Sequence, residues 1–293
     1  MQIAVTGSIA TDHLMTFPGR FVDQFIAEKM DRVSLSFLVD DLEIRRGGVA
    51  ANIAFGLGVL GLKPLLIGAV GPDFGGYRDW LTAHGVDCSG VRESVRHHTA
   101  RFVCTTDSDG NQIASFYPGA MSEDAEITLA PLAERSEGLD LALIGASDPG
   151  AMLAHTAECT QLGIPFVADP SQQLPRLDGP QVRALVTGAR YLFCNEYEEA
   201  LIQRKSGWAA SEVLRQVGVR VTTLGPAGAR CPAWQPRGGE RAGDRRAAGI
   251  RAQARRRGHP HRPGLRRRRG GGDHRPLHRL ATPGGWLVWV HAA

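Results

Sequence analysis

The sequence of 293 residues lacks several features that would place it in a specialised class. No apolar run approaches the roughly 20 residues that a membrane-spanning helix requires, and the first residues form a strand-like run without the basic region of a secretory signal. The five cysteines are odd in number, widely spaced and never arranged as C-x-x-C, which favours reduced core thiols over disulfides or zinc ligands. We therefore expect a cytoplasmic protein without a membrane partner.

Two common nucleotide-binding motifs are absent as well. The sequence contains neither a Walker A motif nor a G-x-G-x-x-G fingerprint, so it does not support P-loop or Rossmann chemistry. It also contains no internal repeat, which argues against a solenoid or a propeller.

The net charge of +4 is distributed unevenly along the chain. Residues 229–293 carry 16 arginines, no lysine and three acidic residues, a balance of +13, whereas 18 basic and 27 acidic residues give residues 1–228 a balance of −9. The acidic body argues against a nucleic-acid-binding surface there. The Arg-, Gly- and Pro-rich tail buries too little apolar surface to offset backbone entropy, so we expect the C-terminal quarter to be irregular or disordered, without a specific nucleic-acid partner.

Residues 1–228 alternate short apolar runs with amphipathic stretches, which predicts an α/β domain whose central, mainly parallel sheet is flanked by helices. The predicted strands are 3–6, 65–70, 139–144, 166–168, 191–194 and 219–224, and the predicted crossover helices are 77–84, 151–162, 181–186 and 211–217. Two segments interrupt this alternation, 32–43 and 99–117, the second of which reads as a hairpin that turns at residues 107–110. We expect them to form a small β lid over the carboxyl ends of the strands, where ligands bind in such sheets.

A pair of glycines, Gly47 and Gly48, opens a helix of small residues directly after a basic segment. Without Cβ atoms they can adopt positive φ and let a polar ligand approach the main chain. Asn52 lies one helical turn beyond Gly48 and faces the same side. The pattern fits either a ligand-binding helix terminus or a helix start packed closely on a strand.

Ser8 and Asp12 follow the first predicted strand. A carboxylate at this point can accept two hydrogen bonds from vicinal hydroxyls, as a ribose diol demands, or it can cap the following turn. Ser36, in the predicted strand 34–37, offers a further polar contact or is simply solvated. Phe102 and Phe116 fall on facing strands of the hairpin, where an aromatic pair sandwiches a flat base or packs in the core.

Asn195 and Glu198 follow another predicted strand at the start of a helix. Residues three apart share a helical face, so both can point toward one Mg²⁺-phosphate cluster. The alternative is an ordinary capped helix with an acidic first turn.

Together these patterns resemble the ribokinase (PfkB) family of sugar and nucleoside kinases. The Gly-Gly pair with Asn52 is similar to its first signature and Asn195-x-x-Glu198 to its second, while segments 99–102, 112–121 and 168–174 resemble the bacterial adenosine kinases within it. The resemblance covers residues 1–228 and implies a ribokinase-like kinase domain that transfers phosphate from ATP to the 5′-hydroxyl of adenosine with Mg²⁺, a purine-salvage reaction. It leaves a homodimer open.

The resemblance also implies a role for each matched residue. Phe102 and Phe116 would clasp adenine, and the turn 222–228 would hold the phosphates of ATP. The implied substrate-binding residues are Ser8, Asp12, Ser36, Gly47, Gly48, Asn52, Phe102, Phe116, Gln172 and Gln173, the implied ATP-binding residues are Asn195, Thr223, Gly225 and Gly228, and the implied metal ligand is Glu198.

The family's Gly-x-Gly-Asp signature is missing, and with it the catalytic aspartate and the glycine-built anion hole. Gly270-Gly271-Gly272-Asp273 lies between arginines and His274 and does not qualify. A frameshift near Gly228 explains the change of composition, since codons for residues 261–269 read one base later can encode Asp-Pro and Ala-Gly-Asp. Two alternatives to an impaired adenosine kinase remain: a ribokinase- or fructokinase-like sugar kinase, and a catalytically dead nucleoside binder with a basic tail.

Overall fold

The computed structural model describes residues 1–26, 31–32 and 34–232. The strands are β1 (Ile3–Thr6), β2 (Ala10–Thr16), β3 (Asp41–Gly47), β4 (Leu65–Val70), β5 (Asp87–Glu93), β6 (Ala100–Thr106), β7 (Gln112–Tyr117), β8 (Leu141–Ile144), β9 (Phe166–Ala168), β10 (Tyr191–Asn195), β11 (Val219–Thr223) and β12 (Ala229–Arg230). The α-helices are α1 (Val49–Val59), α2 (Gly75–Ala83), α3 (Ala130–Arg135), α4 (Pro149–Leu162), α5 (Gly179–Val186), α6 (Glu196–Ser206) and α7 (Ala210–Gln216). The predictions for the basic tail, including the frameshift, fall almost entirely on residues 233–293 and lie outside the described residues.

Eight strands form the larger sheet in the order β12-β11-β10-β9-β8-β1-β4-β5. All neighbouring strands are parallel except β12, which pairs antiparallel with β11. Helices cover both faces because the strands are apolar on both sides. Ile3 and Val5 pack in one core cluster with α1 and α2, whereas Ala4 belongs to the other cluster, with α4, α5 and α6. The predicted α/β fold with a mainly parallel sheet is confirmed.

A second sheet of four strands, in the order β3-β2-β6-β7, forms the lid. The predicted hairpin is present as β6 and β7, which pair antiparallel. The chain passes from the larger sheet into the lid after the carboxyl ends of β1 and β5, so the lid begins at the edge where ligands bind in parallel sheets. The prediction of a lid strand within 32–43 was partly wrong, because β3 begins only at Asp41 and the described residues 34–40 have no regular structure.

The irregular stretch has a physical explanation. Phe37 packs against Phe17 and Phe21, with ring centres 5.1 and 4.9 Å away, whereas Leu35 and Leu38 are exposed. The packing of Phe37 holds residues 34–40 in place as a loop. These residues do not form a strand because they are not paired with a neighbouring strand. No helix in the described ranges is long and apolar enough to cross a membrane.

Candidate functional site

The N-terminus of α1 is built on Gly48. This glycine has φ 95° and ψ 139°, and a Cβ atom added to it would lie 2.5 Å from the Ser8 carbonyl oxygen and 2.6 Å from the Ala10 nitrogen. The Ser8 hydroxyl accepts a hydrogen bond from the Val49 N–H at 3.0 Å, and the Ser8 carbonyl accepts one from Ala50 at 3.1 Å. Ser8, which the sequence suggests as a substrate contact, therefore also holds the first turn of α1 on the end of β1.

Asp12 lies within β2, where its side chain is buried beside Gly47. A Cβ atom on Gly47 would lie 2.6 Å from Asp12 Oδ2, so a side chain at position 47 would displace this carboxylate. Burial raises the pKa of Asp12, and the nearby Arg45 guanidinium opposes that rise. No hydrogen bond to the carboxylate is formed within the described ranges, so the turn-capping alternative does not fit. A buried carboxylate without donors is suited to accept them from a ligand.

The lid aligns four side chains in one row across its strands. Asp12 pairs in register with Arg45 on β3 and with Phe102 on β6, and Phe102 pairs with Phe116 on β7. Residues in register point to the same face of a sheet, at spacings of about 4.5–5.5 Å. Phe102 is half-buried and Phe116 is 48% exposed. The row therefore carries a carboxylate next to two aromatic side chains, one of them open to solvent.

Of the two other expected polar contacts, Asn52 has a fixed position on α1, whereas Ser36 lies in an irregular stretch. Asn52 is half-buried on α1, and its N–H donates to the Gly48 carbonyl at 3.0 Å, which fixes it one turn beyond the glycine pair. Ser36 is exposed in the irregular stretch 34–40, so its expected place on a lid strand was wrong. Nothing in the described part of the chain ties its hydroxyl to the row.

The segment after β9 carries Gln172 and Gln173 on a short 3-10 helix, Ser171–Arg176. Gln172 is exposed, whereas Gln173 is 7% exposed and its Oε1 has no hydrogen-bond partner. Just before them, Asp169 directly follows β9 and accepts a hydrogen bond from the Ser171 hydroxyl at 2.6 Å. Burial raises the pKa of Asp169 to about 6, and the charge of Glu198 adds to the rise.

Asn195 and Glu198 form a reciprocal cap at the start of α6. The Glu198 N–H donates to Asn195 Oδ1 and the Asn195 N–H donates to Glu198 Oε2, both at 2.8 Å. The geometry thus contains the capping box that is the ordinary interpretation of this motif. The capping box is compatible with a site role for Glu198. Burial raises the pKa of the Glu198 carboxyl, and the negative charge of Glu198 raises the pKa of Asp169.

Asp169 and Glu198 are the two carboxylates that could hold a divalent cation at this edge of the sheet. They follow β9 and β10, which are parallel neighbours, and each has a raised pKa because burial disfavours its charge. Mg²⁺ in phosphate sites is held by one or two carboxylates, with water and phosphate completing the shell. In the described ranges no group of three or more His, Cys, Asp or Glu side chains forms a denser metal site. Asp169 was missed in the sequence, although an aspartate directly after a buried strand was the available signal.

The third part of the site is the turn after β11. Thr223 is in register with Asn195 of β10, so two of the expected ATP-binding residues are strand neighbours. Gly225 and Gly228 have φ of 57° and 93°, and the turn closes through a hydrogen bond from the Leu224 N–H to the Gly228 carbonyl at 2.7 Å. The Ala227 and Gly228 N–H groups donate to the Leu224 and Gly225 carbonyls, and Pro226 has no N–H. Within the described residues the turn therefore leaves the N–H of the exposed Gly225 without a hydrogen-bond partner at this edge of the sheet.

Residues 6–236 match the family described as pfkB family carbohydrate kinase. The structure of Burkholderia thailandensis nucleoside kinase in complex with inosine is 36% identical, with a TM-score of 0.66, covering 78% of this chain and 72% of that chain. The nucleoside kinase of Methanocaldococcus jannaschii is 26% identical over 230 residues, 78% of this chain and 70% of that protein.

A nucleoside kinase from Methanothermobacter thermautotrophicus is 35% identical over 156 residues, which cover 52% of this chain and 49% of that protein. The chain thus spans about half the length of this relative. These proteins are named nucleoside kinases and not adenosine kinases, so the expected preference for adenosine goes beyond what their names support.

Proposed function

Because this chain belongs to the pfkB family of carbohydrate kinases, we propose that residues 1–228 form a nucleoside kinase domain that binds adenosine and ATP. The reaction is transfer of the terminal phosphoryl group of ATP to the ribose 5′-hydroxyl of adenosine, which yields AMP and ADP and serves purine salvage. Relatives named nucleoside kinase, one of them in complex with inosine, support the substrate class.

The row across the lid is the observation that carries the proposal. Asp12 is a buried carboxylate without a donor, so it accepts hydrogen bonds from vicinal ribose hydroxyls. Phe102 and Phe116 follow it in register and provide rings on which a flat base stacks, at about 1–3 kcal/mol per base. A sugar kinase has no use for the rings, so their place beside the carboxylate favours a nucleoside over ribose or fructose.

In this proposal ATP binds at the carboxyl ends of β9, β10 and β11. The Gly225 N–H, which has no hydrogen-bond partner among the described residues, would donate to the phosphates of ATP, and Asp169 and Glu198 would hold Mg²⁺. When bound, Mg²⁺ neutralises charge on the transferring phosphate. The protein's own contribution is to orient two substrates at one sheet edge and to exclude water beneath the lid.

Phosphoryl transfer by this chain is impaired in our proposal. The sequence lacks the Gly-x-Gly-Asp segment whose aspartate takes the proton from the attacking hydroxyl, and the match to the family ends at residue 236. Nucleoside binding depends on residues before that point and is retained. The deciding observation for the frameshift is the DNA around the codons for residues 222–230, where correcting a single-base insertion or deletion restores the signature.

The nucleoside assignment is tested with Phe116→Leu. Loss of the exposed ring weakens adenosine binding about 5- to 150-fold, the range that one stacked base is worth, and leaves ribose binding unchanged. Phe193→Leu, a half-buried phenylalanine on β10, is the matched control and retains adenosine affinity. Calorimetric titration measures both ligands, and equal adenosine affinity in Phe116→Leu and wild type would rule out base stacking at this position.

A further inference from the structure

Tyr77 on α2 is hydrogen-bonded to the glycine pair from outside the lid. Its buried hydroxyl donates to the Gly47 carbonyl oxygen at 3.0 Å. The Tyr77 ring lies between Phe74 and Trp80, at centre distances of 5.4 and 6.0 Å. The Arg46 guanidinium covers the same aromatic group, 4.8 Å from the Trp80 ring centre and 6.0 Å from that of Tyr77. Helix α2 therefore contacts the last two residues of β3. Its aromatic rings pack against the Arg46 side chain, and its Tyr77 hydroxyl donates to the Gly47 carbonyl.

This hydrogen bond fixes the orientation of one peptide group. The Gly47–Gly48 bond is trans, so the Gly48 N–H points away from the side on which the Gly47 carbonyl meets Tyr77. The N–H makes no hydrogen bond with the described part of the chain. The Gly48 N–H is thus a hydrogen-bond donor with a fixed direction and no acceptor among the described residues. The Asp12 carboxylate lies next to it, against Gly47.

Such a peptide needs an anchor of this kind. Two consecutive glycines have wide conformational freedom and no side chains by which to be held. Gly47 pairs with Ala10 in the β2–β3 ladder and the Gly48 carbonyl accepts from the Asn52 N–H, so the flanking backbone is held. The Tyr77 hydroxyl holds the carbonyl of the peptide between them, and with it the direction of the Gly48 N–H.

We propose that Tyr77 is a positioning residue: it orients the Gly47–Gly48 peptide so that the Gly48 N–H donates to a ribose hydroxyl while Asp12 accepts from the diol. The inference rests on the proposed function, because it assumes a nucleoside beside Asp12. Tyr77 itself does not touch the ligand. Its hydroxyl is held by the Gly47 carbonyl, and its ring is enclosed by Phe74, Trp80 and Arg46.

The test is Tyr77→Phe, which keeps the ring and removes only the hydroxyl. Calorimetric titrations with adenosine, 2′-deoxyadenosine and 3′-deoxyadenosine compare the variant with wild type. We expect Tyr77→Phe to weaken adenosine binding about fivefold, the worth of one ordinary hydrogen bond. The deoxy analogue that lacks the hydroxyl contacted by Gly48 should bind both proteins equally.

Two further variants separate positioning from general damage. Tyr191→Phe, at the amino end of β10, is the matched loss of a hydroxyl and should leave all three affinities unchanged. Arg46→Met loosens the same aromatic group but keeps the Tyr77 hydroxyl, so it should retain the wild-type ratios between ligands. Affinity ratios are compared because they do not depend on the folded fraction of a preparation.

The outcomes are distinct. An equal loss for all three nucleosides in Tyr77→Phe, or ratios in Arg46→Met that shift as they do in Tyr77→Phe, would overturn the positioning role while leaving the nucleoside site intact. Wild-type protein that binds none of the three nucleosides would instead refute the proposed function.

Discussion

Replacing Gly48 by alanine should be among the most damaging small substitutions in this protein. At φ 95° and ψ 139° a residue with a side chain is strained by about 1–3 kcal/mol. The added Cβ would also lie 2.5 Å from the Ser8 carbonyl oxygen and 2.6 Å from the Ala10 nitrogen. Both atoms belong to the backbone that joins β1 to β2 and have little room to move. Strain and collision together predict a loss of about 3 kcal/mol or more in the free energy of unfolding.

Gly56→Ala is the matched control in the same helix. Gly56 lies inside α1, and a Cβ atom there meets nothing within 4 Å. Its replacement should stabilise the protein by about 0.5–1 kcal/mol, because alanine favours a helix interior over glycine. Urea denaturation measures both variants, and in a thermal melt Gly48→Ala should lower Tm by about 6–12 °C. A Gly48→Ala variant within about 0.5 kcal/mol of Gly56→Ala, a difference typical of harmless surface changes, would refute the reasoning from backbone geometry.

Four further predictions concern charge and catalysis. Asp12→Asn should weaken adenosine binding about 10- to 100-fold in calorimetry, since it removes a charge-assisted acceptor, and unchanged affinity would show that Asp12 does not contact the ligand. Burial lowers the pKa of His155, whose ring forms hydrogen bonds with the Thr6 hydroxyl and the Ile127 carbonyl. The contribution of His155 to stability is full above about pH 6.5 and falls as the pH drops below that value. His155→Gln should therefore flatten the acid side of a plot of urea midpoint against pH. Burial raises the pKa of Asp124 to about 7, so its contribution is present below about pH 4 and is lost as the pH rises through 7, and Asp124→Asn should gain stability relative to wild type between pH 5 and 8. Phosphorylation of adenosine should be about 10²- to 10⁴-fold slower than in an intact kinase of this family, the usual effect of losing a general base, and a normal rate in an ADP-release assay would contradict the impaired-enzyme proposal.

The parallel sheet was predictable because its strands are continuous apolar runs. Residues 65–70 and 166–168 were predicted as strands and have the same bounds in the structure. The lid was harder, because its strands are half exposed and polar. β2 carries Thr11, Asp12 and His13, and it owes its strand conformation to pairing with both β3 and β6. Pairing across nearly 90 residues of sequence leaves no local signal.

For the candidate site too, local features could be predicted from the sequence, whereas long-range contacts could not. The residue types and their order along the chain were visible, but their hydrogen-bond partners were not. Ser8 could be named as polar and close to a strand end, whereas its bonds to Val49 and Ala50 depend on how α1 docks. Asp169 and Tyr77 were not singled out, because the importance of each comes from a neighbour that lies some 30 residues away along the chain.

The central claim, that the row from Asp12 to Phe116 recognises a nucleoside, is tested most directly by titrating the whole chain with adenosine, ribose and fructose under one set of conditions. Adenosine should bind at least about fivefold more tightly than either sugar, because stacking of the base adds about 1–3 kcal/mol to the contacts of the diol. Equal affinities, or a preference for one of the sugars, would contradict the account.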